Sequence, residues 1–472
     1  VKLQASKSTV NGQASNRKPN VIGKKIALGV GALLVTLTSG AAWAPHVVKA
    51  ESAVVSVSSF TNELTAPFVK PKWTLAVDNW DAQSNVVRKT DVLAEEGRVY
   101  AIVSGGQLTA VDAATGKKAW KADSSLQHQL AYVPGVIYSV VSDGRLIAFN
   151  SANGKTKWAS KAKTDGALKI VPIGDAVYVM NNLQFYAFDA QTGALRWKVE
   201  EKDATYSSGD NELQLVDGVL IRGYLVQGAL TSSQINAYDA KSGKLLWSKF
   251  RQNLPIAAKG GLIYSAPAVY EMGPVDGILQ EFSLDAISAS TGELKGTRVY
   301  KWDTPVDPNA PIKGGLYGQP MLVGNDLYLY EGDKLAKYDF NAYVPNGGKP
   351  LHTWSIPVNN AGSLTGLNLI HRGRFLFHDY SNNAIVAMKE ANGQQVGWQV
   401  DNPALQTDVY GNGLFIGQTD GVWHAYNFDS TKAMFSVKSE SRYFGPTLKS
   451  KDMVIIQNKG FLQAVKLPQS LL

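Results

Sequence analysis

The sequence predicts an all-β protein: a β-propeller of four-stranded antiparallel blades. Three observations carry that expectation. A thirteen-residue phrase, "LTAVDAATGKKAW" at 108–120, returns as "LIAFNSANGKTKW" (146–158), "FYAFDAQTGALRW" (185–197) and "INAYDAKSGKLLW" (235–247). Between the copies Val, Ile, Tyr and Phe alternate with polar residues and Gly, Asn and Asp punctuate, which is the period of half-buried strands and not of helices. The copies also recur at blade spacing: nine candidate modules across residues 73–467 average about 44 residues each.

Taken from the N-terminus, the chain opens on a basic, apolar segment. "NRKPNVIGKK" is a positive n-region and "IALGVGALLVTLTSGAAWA" (26–44) an apolar h-region. "VVKA-ES" then sets small residues for a cut after Ala50. Residues 1–50 read as a signal peptide for export, with an uncleaved membrane anchor as the rival reading. This segment holds seven of the 47 Lys and Arg and no acid, which leaves 40 basic against 39 acidic residues in the body. The body is nearly neutral, so composition gives no support for nucleic-acid binding. The chain has no Cys, hence no disulfide, no thiolate metal ligand and no lipid-bearing cysteine. Residues 51–72 read as a polar linker, 73–467 as the propeller and 468–472 as a C-terminal tail.

Within each module the motif residues have structural work. Asp112, Asn150, Asp189 and Asp239 can accept hydrogen bonds from their own backbone a few residues on and hold a turn. Gly116, Gly154, Gly193 and Gly243 supply a positive φ. Trp120, Trp158, Trp197 and Trp247 bring a large apolar face down the outer strand to bury against the next blade; losing one costs about 3–5 kcal/mol. Later copies drift: Ser288 stands for Asp and Gly296 for Trp, Lys389 for Asp, and Phe435 for Trp, while 335–354 carries an insertion. "FLQAVKL" (461–467) lacks an outer strand, and "KWTLAV" (72–77) is an outer strand with no motif before it. Pairing the two closes the ring and removes both free edges. Propellers usually have four to eight blades; the expectation from nine modules is eight blades, with one drifted module left out of the count.

The pattern A-x-D-A-x-T-G-K-x-x-W resembles the pyrroloquinoline-quinone (PQQ) repeat with its tryptophan docking, over about 73–467. That resemblance implies the propeller fold and two kinds of function. One is a quinoprotein dehydrogenase binding PQQ and Ca²⁺ and oxidising alcohols or sugars. The other is a non-catalytic propeller, a group that includes an envelope lipoprotein assisting outer-membrane protein assembly. The chain departs from both, lacking the adjacent cysteines on which many alcohol-oxidising quinoproteins stack PQQ and the lipid-bearing cysteine of the assembly factor.

No G-x-S-x-G, H-E-x-x-H, P-loop or paired-carboxylate motif appears in a supporting context. His371 and His378 lie seven apart across a candidate hairpin and read as strand-end polar residues rather than a metal site. "DNWDAQSN" (78–85) and "DTPVDPNAP" (303–311) are oxygen-rich but read as solvated loops. The recognition signal lies elsewhere. Loops joining second to third strands, and loops joining blades, open on one face. The longest of these, at 200–210, 223–233, 266–282 and 301–319, belong to modules three through six. They carry Tyr206, Tyr224, Tyr270, Met272, Trp302 and Tyr317, residue types enriched at binding sites. The expected function is an exported, non-catalytic binding or assembly scaffold without cofactor or metal. Its partner would be an envelope or extracellular protein or a polysaccharide, its only membrane contact the export signal, and its state monomeric. The alternative is a PQQ/Ca-dependent sugar or alcohol oxidoreductase.

Overall fold

Apolar alternation and turn residues every few positions leave each module with two buried sheet faces, which only neighbouring modules can cover. In the computed structural model they do so in a ring. The structure describes residues 66–472 apart from 82–85, 89–90, 123–124, 229–230, 269–278, 304–315, 318–319, 346–347, 357–363 and 440. The signal-peptide and anchor readings, and most of the linker, lie outside the described residues. Among the described residues no helix is long and apolar enough to cross a membrane.

Among the described residues nine antiparallel blade sheets follow one another, beside one two-stranded sheet of Trp80–Asp81 and Val86–Val87: blade 1 (92–122), blade 2 (131–163), blade 3 (169–200), blade 4 (206–250), blade 5 (257–303), blade 6 (316–355), blade 7 (364–399), blade 8 (404–438) and blade 9 (448–466). Blade 9 is completed by Trp73–Ala76, paired with Phe461–Lys466 in the register Trp73↔Ala464, so the ring closes as the sequence predicts. The ring holds nine blades where eight were expected, since every drifted module forms its sheet. The apolar core gives the same count. It falls into nine clusters, each shared by two consecutive blades, the last joining blade 9 to blade 1. Drift altered the wedge residues and left the alternating strand residues that build these clusters.

The motif holds each junction in two steps. Asp112 Oδ1 accepts the Thr115 amide at 2.8 Å and its hydroxyl at 2.7 Å, and Asp239 does the same with Ser242. The turn then presents a glycine near φ +70° and the carbonyl of the residue after the Asp. The tryptophan of the preceding blade lies over that glycine and donates its indole N–H to that carbonyl: Trp120 to Ser151 at 3.0 Å, Trp158 to Ala190, Trp197 to Ala240 and Trp247 to Ala289. Trp73 performs the same docking on Ala113, so the closing strand also locks the closing junction.

Where tryptophan is lost, other residues take its part. Opposite Ala286 of blade 5 stands Gly296, and Arg298, two residues on and on the same face, donates to the carbonyl of Phe340. Its guanidinium sits 4.4–5.4 Å from the rings of Phe340, Tyr264 and Tyr343. At the junction of blades 7 and 8 Trp398 is kept and stacks on Phe428, centroids 5.5 Å apart, but Arg374 donates to the Phe428 carbonyl at 2.5 Å. At the junction of blades 8 and 9, where Phe435 replaces Trp, the tail is part of the core. Leu471 is fully buried there and its carbonyl accepts the Asn412 amide at 3.2 Å. Before the ring, Val69 donates to the Ser436 carbonyl at 2.9 Å, so residues 67–69 cover the outer edge of blade 8.

Candidate functional site

A four-stranded blade puts its second-to-third hairpins and its inter-blade links on one face and its motif turns on the other. On the first face blade 4 stands out. Its strands Tyr206–Val216, Val219–Gln227 and Thr231–Asp239 have 11, 9 and 9 residues, against 4 and 6 for Val92–Glu95 and Arg98–Val103 of blade 1. At about 3.3 Å per residue, three extra residues raise the edge by roughly 10 Å. The sequence expectation of a long loop over 223–233 is therefore corrected: the ladder runs on to Gln227↔Thr231. In blade 5 Leu279–Ser288 and Leu294–Asp303, 10 residues each, extend the same ridge.

The ridge stands on a buried polar network between blades 3 and 4. Arg222 is fully buried, donates to the carbonyls of Gln184, at 3.3 Å, and Asn182, and lies 5.0 Å from the Tyr224 ring. Tyr224 and Tyr238 share a hydroxyl contact of 2.8 Å, and Tyr238 donates to Glu201. Asn236 donates to Glu201 at 3.1 Å and to Tyr206 at 3.2 Å, and Gln234 also donates to Tyr206. The Tyr206 and Tyr224 rings meet edge to face at 5.2 Å. Burial pushes the hydroxyls of Tyr206, Tyr224 and Tyr238 to higher pKa, so they stay protonated donors. A connected network of this kind rigidifies the edge that it supports.

The six loop-face residues therefore fare differently. Tyr206 and Tyr224 come together, but Tyr224 is buried and works inside the network, not at a surface. Trp302, on the outer strand of blade 5, is likewise buried and builds the ridge. Tyr317 pairs with Glu331 at the edge of blade 6. Tyr270 and Met272 lie outside the described residues. Among the described residues the large apolar side chains that the ridge exposes are Leu225 (42%) and Phe250 (54%). Leu225 borders a cleft of about 270 Å³ between blades 4 and 5, with Thr231, Ser233, Asn253 and Pro267. Phe250 stands on the other side of the ridge, its ring 5.7 Å from the Arg251 guanidinium. The signal for both was in the sequence as apolar residues at strand positions facing away from the core, but only pairing register shows which way a residue faces.

The other candidate groups are engaged singly. His371 Nε2 lies 2.8 Å from the Gly411 carbonyl and His378 packs on Tyr380. Asp78 is paired with Arg88 at 3.0 Å, and 304–311 lies outside the described residues. Asp91, a buried carboxylate at the head of blade 1, is held by Arg88 at 2.6 Å and lies 3.2 Å from His128 Nδ1. Among the described residues no three His, Asp or Glu gather in a geometry that could hold a metal ion.

A family model described as outer membrane protein assembly factor BamB matches residues 71–264 and, in a second alignment, 171–299. None of the curated proteins matches the chain. Among solved structures, BamB from Moraxella catarrhalis is 14% identical with a TM-score of 0.45, covering 85% of this chain and 98% of that one. The quinohemoprotein alcohol dehydrogenase from Comamonas testosteroni is 13% identical with a TM-score of 0.42, covering 85% and 77%. Saccharomyces cerevisiae Sqt1 is 12% identical with a TM-score of 0.43, covering 72% and 95%.

Proposed function

We propose that this chain, which matches a PQQ-like repeat family model over residues 71–299, is a non-catalytic binding and assembly scaffold of the bacterial cell envelope. The observation that carries this reading is the raised ridge of blades 4 and 5. It is rigidly supported from below and presents Leu225 to solvent beside a cleft and Phe250 on its other side. The motif residues are meanwhile engaged in docking blade to blade. The family model's description, an outer membrane protein assembly factor, supports a protein as the partner. The signal-like segment 1–50 supports export, with the propeller outside the cytoplasm as a monomer.

The test is site-specific photocrosslinking in the producing cells. A benzophenone amino acid at Leu225 or Phe250 captures one discrete partner, and the same group at Leu195, exposed at the motif-turn end of blade 3, does not. Equal capture from all three positions, or none from the ridge, refutes the proposal. Titration with PQQ and Ca²⁺ addresses catalysis: stoichiometric retention of the quinone would overturn the non-catalytic reading.

A further inference from the structure

Blade 6 departs from the repeat at the two positions that fill a tight junction. Two residues before the turn Asp, Asn or Ser, blades 1–5 carry Ala110, Ala148, Ala187, Ala237 and Ala286, whereas blade 6 carries Lys337 before Asp339. In blades 1–4 that alanine faces the wedge tryptophan; Lys337 faces His352 instead. Trp354 lies two residues further along. It still donates to the Glu390 carbonyl at 2.7 Å but stands off the turn glycine. A Cβ on Gly393 would lie 3.4 Å from the Trp354 ring, against 2.3–2.7 Å for Gly116, Gly154, Gly193, Gly243 and Gly292 against theirs. The wedge is drawn away from the motif-turn face, and the space left between blades 6 and 7 is a cleft of about 780 Å³. Past Arg374 and Lys389 it adjoins a hollow of about 300 Å³ that reaches Asp429 of blade 8.

The lining of this trough is cationic. Lys337, Arg372, Arg374 and Lys389 face it, against the carboxylates of Glu390 and Asp429. Lys337 is committed to Asp326 at 2.7 Å and Glu390 at 3.1 Å. Arg372 is not so bound: its pair with Asp429 at 3.0 Å has both side chains nearly half exposed, and such pairs contribute at most about 1 kcal/mol. The Lys389 ammonium donates to the neutral amide oxygen of Gln394 at 3.2 Å. Two of the four cations can therefore take a new carboxylate with little loss. The trough runs across blades 6, 7 and 8, a reach that suits an extended occupant better than a compact anion.

We propose that this trough binds an extended acidic segment of a partner polypeptide, its carboxylates meeting Arg372 and Lys389. The proposal shares with the scaffold reading only the premise that the propeller holds a partner. Its surface is on the opposite face, so the crosslinking result at Leu225 and Phe250 and the result below can fail independently.

The probe is a fluorescein-labelled decapeptide of alternating Glu and Gly, with its Gln counterpart, titrated with the full chain by fluorescence anisotropy. The Glu peptide binds at least about tenfold more tightly than the Gln peptide, and its affinity falls several-fold between about 50 and 300 mM salt. Arg372→Glu with Lys389→Glu loses at least about tenfold in affinity, and Arg372→Gln with Lys389→Gln loses less. Lys241→Glu with Lys244→Glu, the same charge change on the motif turn of blade 4, leaves binding as it was. Unchanged thermal melts accompany all three variants; if the Glu pair melts early, the Gln pair decides. Equal binding of the two peptides, no binding of either, or unchanged affinity in the trough variants overturns the proposal. So does displacement of the Glu peptide by inorganic phosphate at equal concentration, which would assign the trough to a small anion.

Discussion

The docking of tryptophan on glycine can be measured by adding one methyl group. At Gly154 the backbone has φ +71°, and a Cβ would fall 2.4 Å from Trp120 Cε3. At Gly135, in the same blade, φ is +83° with nothing within 4 Å of such a Cβ. Gly135→Ala therefore bears only the left-handed backbone penalty, about 1–2 kcal/mol. Gly154→Ala bears a similar penalty and must also push a buried indole off its seat, overpacking of about 1–3 kcal/mol more. Trp120 cannot yield freely, because its indole N–H is held by the Ser151 carbonyl at 3.0 Å. Urea unfolding followed by far-UV circular dichroism gives both values. In a Trp120→Ala background the Gly154→Ala loss falls back to about 1–2 kcal/mol, a coupling of about 1–3 kcal/mol. Equal losses at the two glycines, or a Gly154→Ala loss that survives removal of Trp120, would refute the wedge account of the junctions.

Three further outcomes follow from the same geometry. Arg298→Met removes the charge-assisted bond to the Phe340 carbonyl and the stacking on three rings, and lowers unfolding free energy by about 2–3 kcal/mol; Arg298→Lys, with no planar fork, recovers less than half. Leu471→Ala opens the junction of blades 8 and 9 and lowers stability by about 2–3 kcal/mol, read in the same denaturation assay; no change would mean that the tail does not fill that junction. Acid stability responds through His424, whose pKa burial holds below 6.5 against the pull of Asp401 and Asp420. The folded pKa is the lower one, so the neutral ring's contribution is complete above pH 6.5 and is lost as pH falls through the folded value. His424→Gln flattens that decline in a pH series of melts. A second decline follows below pH 3.8, as Asp112 and Asp239, held below that value by Thr115 and Ser242, become protonated.

The repeat was legible because its determinants are local. Asp112 and Gly116 shape a turn within five residues, and the alternation around Ala110 sets which side chains face the next blade, so fold, closure and wedge could be read along the chain. The candidate site was less legible. Tyr224 and Trp302 read as loop aromatics, because sequence spacing cannot tell a long hairpin loop from two strands that continue pairing. Leu225 and Phe250 passed unremarked, because a single exposed apolar residue looks like any other until its register is known.

The blade count shows the same division. Nine modules could be counted, but whether each is a blade depends on contacts between modules. Those contacts are made by Arg298 reaching Phe340 across 42 positions and by Leu471 filling a seat formed by blades 8 and 9. The sequence alone determined the repeating unit and the closure of its ends, since hydrogen-bonding turns and strand alternation act over a few residues. Tertiary structure alone decided that the ring has nine members, where it rises into a ridge, and where a displaced wedge opens a cationic trough. Those features arise from surfaces meeting between distant segments, and no single stretch of the chain contains both sides of such a meeting.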